Sequence, residues 1–304
     1  MKQSPYFAQV RLLLRVLPIV AKEACFALKG GTAINLFVRD MPRLSVDIDL
    51  AYLPGSAREE ALEEIGRALR EIAGRVESQV PGAKVFLTGK SEAPKALVSL
   101  PDAHIKIEPN PILRGTVFGQ ETRDLVSAAQ ELFETSTTVR MVSFTDLYAG
   151  KLVAALDRQH PRALFDIKLL LENEGLTDTI RRAFVVYLAS HPRPMAELLE
   201  PGHQPLQGSF ESDFAGMTRV TVTVEELEET RERMVSLIRK TLTPAERRFL
   251  LSLKKGSHEW ALPGLTDLEK LPALQWKVRN ILRLMENKTK HQAAVEKLRR
   301  TLEL

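Results

Sequence analysis

A single cysteine, Cys25, stands among the 304 residues, so no intrachain disulfide can form and a disulfide-stapled secreted scaffold is excluded. It lies in the apolar run Ala24-Cys25-Phe26-Ala27-Leu28, where a small core residue is expected rather than a nucleophile. Long hydrophobic runs are lacking too. The apolar stretch Leu12 to Val20 is broken or flanked by Arg11, Arg15, Lys22 and Glu23. That leaves no 18-residue span for a membrane and no convincing small-residue cleavage site for a signal peptide. An amphipathic helix, no membrane partner and a cytoplasmic location are the expectation. The six histidines show no metal-ligand spacing, no Ser-His-Asp arrangement is recognisable, and Gly30-Gly31 lacks the G-K-[ST] that would follow in a Walker loop. Trp260 and Trp276 are expected as core anchors rather than base-stacking platforms.

What is present is ordinary for a folded chain: 44% hydrophobic and 27% charged residues, in a length most simply divided into two domains. The net charge of +4 and pI of about 9.1 favour a polyanionic partner without establishing one. The tail from Ile281 to Leu304 carries Arg283, Lys288, Lys290, Lys297, Arg299 and Arg300, either as a solvated helix face or as phosphate-backbone contacts.

Periodicity places a helix over residues 5–23, a short strand at Cys25 to Leu28, a glycine turn, and a short helix from Thr32 to Phe37. Val46 to Tyr52 alternates as a strand does, with Val46, Ile48 and Leu50 on one side and Asp47 and Asp49 on the other. Ser56-x-x-Glu59 reads as a capping box for a helix over Ala57 to Val76. Strand-like runs follow at Lys84–Thr88, Ala96–Leu100 and His104–Glu108, ending at Asn110-Pro111. From Ser143 the chain reads as helical: Ser143 to Asp157, Pro161 to Gly175, Thr177–Ser190, Val224–Lys240, Pro244–Lys254, and Leu274 to the end, with His191 to Gly216 as a long loop. The expected fold is therefore α+β: a mixed sheet with flanking helices over residues 1–140, then an all-helical domain over 141–304.

Two acids on one side of an apolar strand need a reason. Alternation sets Asp47 and Asp49 roughly 6–7 Å apart on one face. Burying both without a counter-charge costs several kcal/mol, and a divalent cation removes that cost. Mg²⁺ takes hard oxygen ligands, usually one or two carboxylates with substrate phosphates completing the shell. Gly30-Gly31 lets the backbone approach a phosphate, and Thr32 can add a hydroxyl. Neither feature is specific alone. In this order, on these elements, they describe a site for a triphosphate and a metal.

Gly30-Gly31-Thr32 followed by Asp47-Ile48-Asp49 resembles the signature of the DNA polymerase β-type nucleotidyltransferase superfamily. The longer pattern, Lys29-Gly-Gly-Thr-Ala with Arg43-x-Ser45-x-Asp47-Ile48-Asp49-Leu50, is similar to the AbiEii/AbiGii toxin family. So are the stretch DLYAGKLVAALDRQHPRALFDIKLLL from Asp146 and the segments around Leu242–Gly264 and Leu271–Lys288. The resemblance implies a nucleotidyltransferase fold, NTP as substrate with Mg²⁺ or Mn²⁺, and phosphate contacts from Lys29, Gly30, Gly31, Thr32 and Arg158. By position, Lys151 and Asp166 are its active-site lysine and aspartate. A lysine suits the β/γ-phosphates as a point charge, and Asp166 either orients that lysine or activates the attacking group. Arg162 and Asp166 are also spaced for a plain helix ion pair. Polymerase-type transferases usually add a third carboxylate from a neighbouring strand. Glu108 is the candidate, with Lys106 on its face as the alternative partner.

The resemblance further implies an RNA acceptor, most simply the 3′ end of tRNA, and a cognate antitoxin. Three alternatives stay open: a protein hydroxyl as acceptor, a nucleotide-binding toxin that acts on a partner without transfer, and a D-x-D glycosyltransferase. The retained Lys151 and Asp166 disfavour the second, and the glycine turn with a helical second half disfavours the third.

Overall fold

A computed structural model of the chain describes residues 4–88, 94–262 and 264–304. It divides into two compact units. The first comprises Met1–Leu147 together with Glu211–Thr221, and the second Tyr148–Phe210 with Val222–Leu304. Where the sequence predicts a single boundary near residue 140, the chain thus crosses between units more than once.

The first unit opens with α1 (Phe7–Val20) and runs through β1 (Phe26–Lys29) into α2 (Gly30–Ala33), a single turn that widens into a π-turn over Ile34–Val38. Then come β2 (Asp47–Tyr52), the long α3 (Arg58–Gln79), β3 (Lys84–Thr88), β4 (Lys95–Leu100) and β5 (Ala103–Asn110). It closes with β6 (Gln120–Asp124), α4 (Ser127–Phe133) and β7 (Thr138–Val142). The seven strands form one sheet in the order β3-β4-β5-β2-β1-β7-β6. It is mixed: β2 lies parallel to β5 and β1 to β7, while the other neighbours are antiparallel. The core forms where the strand period and the helix period meet. Ile48, Leu50, Ile105 and Ile107 point one way from β2 and β5, and Leu13, Leu17, Ile65, Leu69 and Ile72 from α1 and α3 are likewise fully buried. Each such side chain contributes about 1.5–3 kcal/mol relative to exposure.

The second unit is helical. α5 (Phe144–Arg158) starts before the division and continues past it, and α6 (Pro161–Asn173) and α7 (Asp178–Ser190) follow. Next are α8 (Met195–Leu199), α9 (Gln207–Asp213), α10 (Val224–Thr241), α11 (Pro244–Lys255), α12 (Pro272–Met285) and α13 (Lys288–Thr301). The starts obey local chemistry. Pro161, Pro244 and Pro272 sit in first turns, and Thr223 with Glu226 and Thr243 with Glu246 complete two reciprocal capping boxes. No helix of the described residues is long and apolar enough to cross a membrane.

Four expectations are corrected. The capping box at Ser56 does not form: α3 begins from Ala57 without a side-chain cap, because the Ser56 hydroxyl is engaged with the Tyr52 hydroxyl at 2.9 Å. The segment His191 to Gly216 is not one loop but contains α8 and α9, since Met195, Ala196, Leu198 and Leu199 bury an apolar cluster between the prolines. The C-terminal helix is two helices, parted where Asn287 caps α13 by accepting from the Lys290 amide at 3.0 Å. Trp260 and Trp276 are only half-buried, the former stacked on His258 with ring centres 5.8 Å apart.

Candidate active site

The first cluster lies in the α+β unit, where strand register sets it. Asp49 pairs with Lys29 across the antiparallel β1–β2 ladder, and with Glu108 across the parallel β2–β5 ladder, where Asp47 pairs with Lys106. Paired residues share a face. Lys29, Asp47, Asp49, Lys106 and Glu108 therefore line one side of the sheet while Ile48 and Ile107 point into the core on the other. Asp47 and Asp49 remain partly exposed, so neither pays the full cost of burying a charge.

The glycines interlock with the acids directly. Gly30 has φ of +75°, a conformation that costs other residues strain, and a Cβ there would stand 2.1 Å from the Asp49 Oδ2. A Cβ on Gly31 would stand 2.7 Å from the Arg43 Nη2 and 2.9 Å from the Ser45 Oγ. One glycine makes room for the second acid of D-x-D, and the other for the arginine and serine of R-x-S. The two halves of the motif, distant in sequence, fill each other's missing volume.

Thr32 has a different role from the one expected. It is fully buried, with its hydroxyl 2.5 Å from the Asp47 carbonyl and 3.0 Å from the Ser45 hydroxyl. It ties the turn to the acidic strand instead of facing a phosphate. Lys29 and Gly30 keep partial exposure at the end of β1 and can face a ligand.

Glu108 forms an ion pair with Lys95 on the neighbouring β4, rather than with Lys106. Among the described residues no group of three or more His, Cys, Asp or Glu side chains is placed to hold a metal ion. Asp47, Asp49 and Glu108 are thus not a three-acid cluster here. The two aspartates fit a cation that takes one or two protein carboxylates and fills its shell from substrate phosphates. The Asp49 carboxylate packed against the glycine turn is consistent with that donor set.

The second cluster lies in the helical unit. Lys151 on α5 and Asp166 on α6 form an ion pair, Nζ to Oδ2 at 3.0 Å, with Asp166 fully buried and the Lys151 side chain 11% exposed. An aspartate with no exposed surface suits holding the lysine better than receiving a proton from an acceptor. Arg158 is exposed at the end of α5. Asp157 pairs with Arg193 at 3.3 Å and lies 3.7 Å from His191. Burial is the largest influence on the His191 imidazole and pulls its pKa down, against the opposing pull of Asp157.

Within the first unit, Asp146 is buried and accepts from the Val117 and Phe118 amides and the Ser143 hydroxyl, at 2.8, 2.7 and 2.7 Å. It anchors the chain that leads into β6. Cys25 is buried as expected, and desolvation pushes its thiol up to about 12. Arg43 and Ser45 carry no signal in the sequence of the volume they share with Gly31, and Lys95 carries none of its pairing with Glu108.

A family model for the nucleotidyl transferase AbiEii toxin of type IV toxin–antitoxin systems matches residues 11–280. No curated protein matches the sequence significantly. Among solved structures, the chain is similar to MenT4, a nucleotidyltransferase toxin from Mycobacterium tuberculosis H37Rv. The TM-score is 0.62 at 14% identity, over 93% of this chain and 95% of that one, a likeness of fold. With its glycine turn and paired aspartates joined as described, the chain belongs to the AbiEii family of nucleotidyltransferase toxins.

Proposed function

We propose that this nucleotidyltransferase moves a nucleoside monophosphate from an NTP to an RNA acceptor, the 3′ end of tRNA. The observation that carries the reading is the Asp49 carboxylate seated in the space left by Gly30, with Asp47 on the same partly exposed face. An acceptor oxygen attacks the α-phosphorus. A new P–O bond forms, the α–β phosphoanhydride bond breaks, pyrophosphate leaves, and the acceptor proton passes to solvent.

Lys29 and the Gly30–Gly31 backbone bind the phosphates. Lys151 offsets the charge that builds up on the leaving pyrophosphate, and Asp166 fixes the position of its ammonium. Arg158 contributes a phosphate contact. Asp47 and Asp49 would hold a Mg²⁺ or Mn²⁺, which when bound supplies electrostatic stabilisation of the triphosphate. Positioning and charge account for most of the catalysis in chemistry of this kind. A cognate antitoxin is the expected protein partner. The exposed cations of α13, Lys288, Lys290, Lys297 and Arg300, are available to an RNA backbone.

The test incubates the protein with Mg²⁺, each α-³²P-labelled NTP in turn and total bacterial tRNA, alongside Asp47→Ala. Label on tRNA with the native protein and none with the variant is the expected result, and it also names the nucleotide. Label on a protein band, or on nothing, sinks the RNA reading.

A further inference from the structure

Between the glycine turn and β2 the chain runs from Arg39 to Val46 with hardly any regular structure and a left-handed residue, Met41, at φ +50°. A connector of that kind, left to itself, would let Asp47 and Asp49 wander relative to Gly30. It is instead gripped by a segment more than 170 residues further along the chain. The Leu44 amide donates to the Met217 carbonyl at 2.8 Å and the Arg219 amide to the Pro42 carbonyl at 2.9 Å. These bonds flank an antiparallel bridge between Arg43 and Thr218. The Arg219 guanidinium adds a bond to the Asp40 carbonyl at 3.1 Å.

The grip is itself anchored. Phe214 and Met217 are fully buried, and the Ser4 hydroxyl donates to the Gly216 carbonyl at 2.9 Å. On the inner side, the gripped Arg43 is 2% exposed and its Nη2 sits against Gly31, while its Nη1 donates to the Leu44 carbonyl at 2.8 Å. The order of contact is continuous: Met217–Arg219 hold Pro42–Leu44, Arg43 fills the hollow at Gly31, and Thr32 fastens to Ser45 and Asp47.

We infer that the clasp Met217–Arg219 and the side chain of Arg43 are positioning elements of the active site, fixing the distance between the glycine turn and the paired aspartates. The inference rests on the reading of those aspartates as the acids of phosphate transfer. A plain ammonium would keep the charge of Arg43 but not its planar fork, so Arg43→Lys should loosen the turn without unfolding the sheet. Arg219→Pro removes the donor to Pro42 and cuts the grip from outside.

Two readouts separate this role from general stabilisation. In hydrogen exchange, amides of Gly30–Leu50 should exchange at least about tenfold faster in both variants, while those of α3 keep their native rates. In the transfer assay the half-saturating concentrations of NTP and Mg²⁺ should both rise severalfold, and added guanidinium should partly restore an Arg43→Ala variant. Val220→Ser, at an exposed neighbouring position, is the neutral control. If either variant folds and shows native exchange over Gly30–Leu50, the inference is overturned. Should Arg219→Pro fail to fold, Arg43→Lys decides alone. If the native protein transfers nothing, the functional reading fails, and the exchange rates still judge the clasp.

Discussion

Gly30→Ala should separate activity from stability. The substituted residue would have to hold φ near +75°, which costs a non-glycine residue about 1–2 kcal/mol. That is a modest share of the stability of an ordinary domain. The larger consequence is local. The new Cβ would stand 2.1 Å from the Asp49 Oδ2, when real Cβ contacts hardly ever fall below 3.0 Å, so the carboxylate or the turn must move by about 1 Å. A displacement of that size at a reacting centre costs roughly a hundredfold in rate. The assay is kcat/KM for transfer, with urea unfolding on the same preparations. Gly66→Ala is the matched control. It lies within α3, where a Cβ meets only the Arg70 Nη1 at 3.5 Å, and it should stabilise the protein by about 0.5–1 kcal/mol with unchanged transfer. A folded Gly30→Ala protein with native kcat/KM would refute the claim that the turn and Asp49 share one volume.

Other outcomes follow from burial. Lys151→Ala should abolish transfer and also lower the urea midpoint, because it removes an ion partner of a fully buried carboxylate. The double variant Lys151→Met/Asp166→Leu should recover much of that stability in urea titrations and none of the transfer. Lys277 donates to the His191 and Arg193 carbonyls at 2.6 and 3.0 Å, and burial followed by repulsion from Lys254 brings its pKa down to about 8. The folded state then binds fewer protons than the unfolded chain between about pH 8 and the ordinary lysine value. This group's contribution therefore makes stability rise with pH across that window, and Lys277→Met should remove that part of the slope. Cys25, buried and with its thiol raised to about 12, should react with iodoacetamide much more slowly than a free cysteine, and Cys25→Ser should leave transfer intact.

Much of this was legible in the sequence where a local rule governs the outcome. The alternation of Val46 to Tyr52 and of His104 to Glu108 sets which side chains face inward, and Pro161 marks a helix start that forms as its fixed backbone angle requires. The stretch after Pro111 was silent. β6, Gln-Glu-Thr-Arg-Asp, is an edge strand without apolar alternation, held by its ladder to β7 rather than by burial, so periodicity had nothing to detect. In the sequence, the Thr32 hydroxyl beside two glycines looks available to a ligand. Only the fold shows it turned inward to the Asp47 carbonyl. The grip on Pro42–Leu44 uses backbone groups of residues far along the chain, and hydrogen bonds of the main chain leave no trace in side-chain identity.

That grip sets a timetable for synthesis. The first unit is not complete at Leu147, because it needs Glu211–Thr221 as well. At about 5–20 residues per second, the stretch between Leu147 and Thr221 takes roughly 4–15 s to emerge. During that interval the glycine turn and the acidic strand exist on the ribosome without the segment that sets their spacing. A truncated or stalled product ending before Met217 would carry every acid of the motif and lack the brace that aligns them. The spacing of the motif is therefore set only after most of the chain has been made.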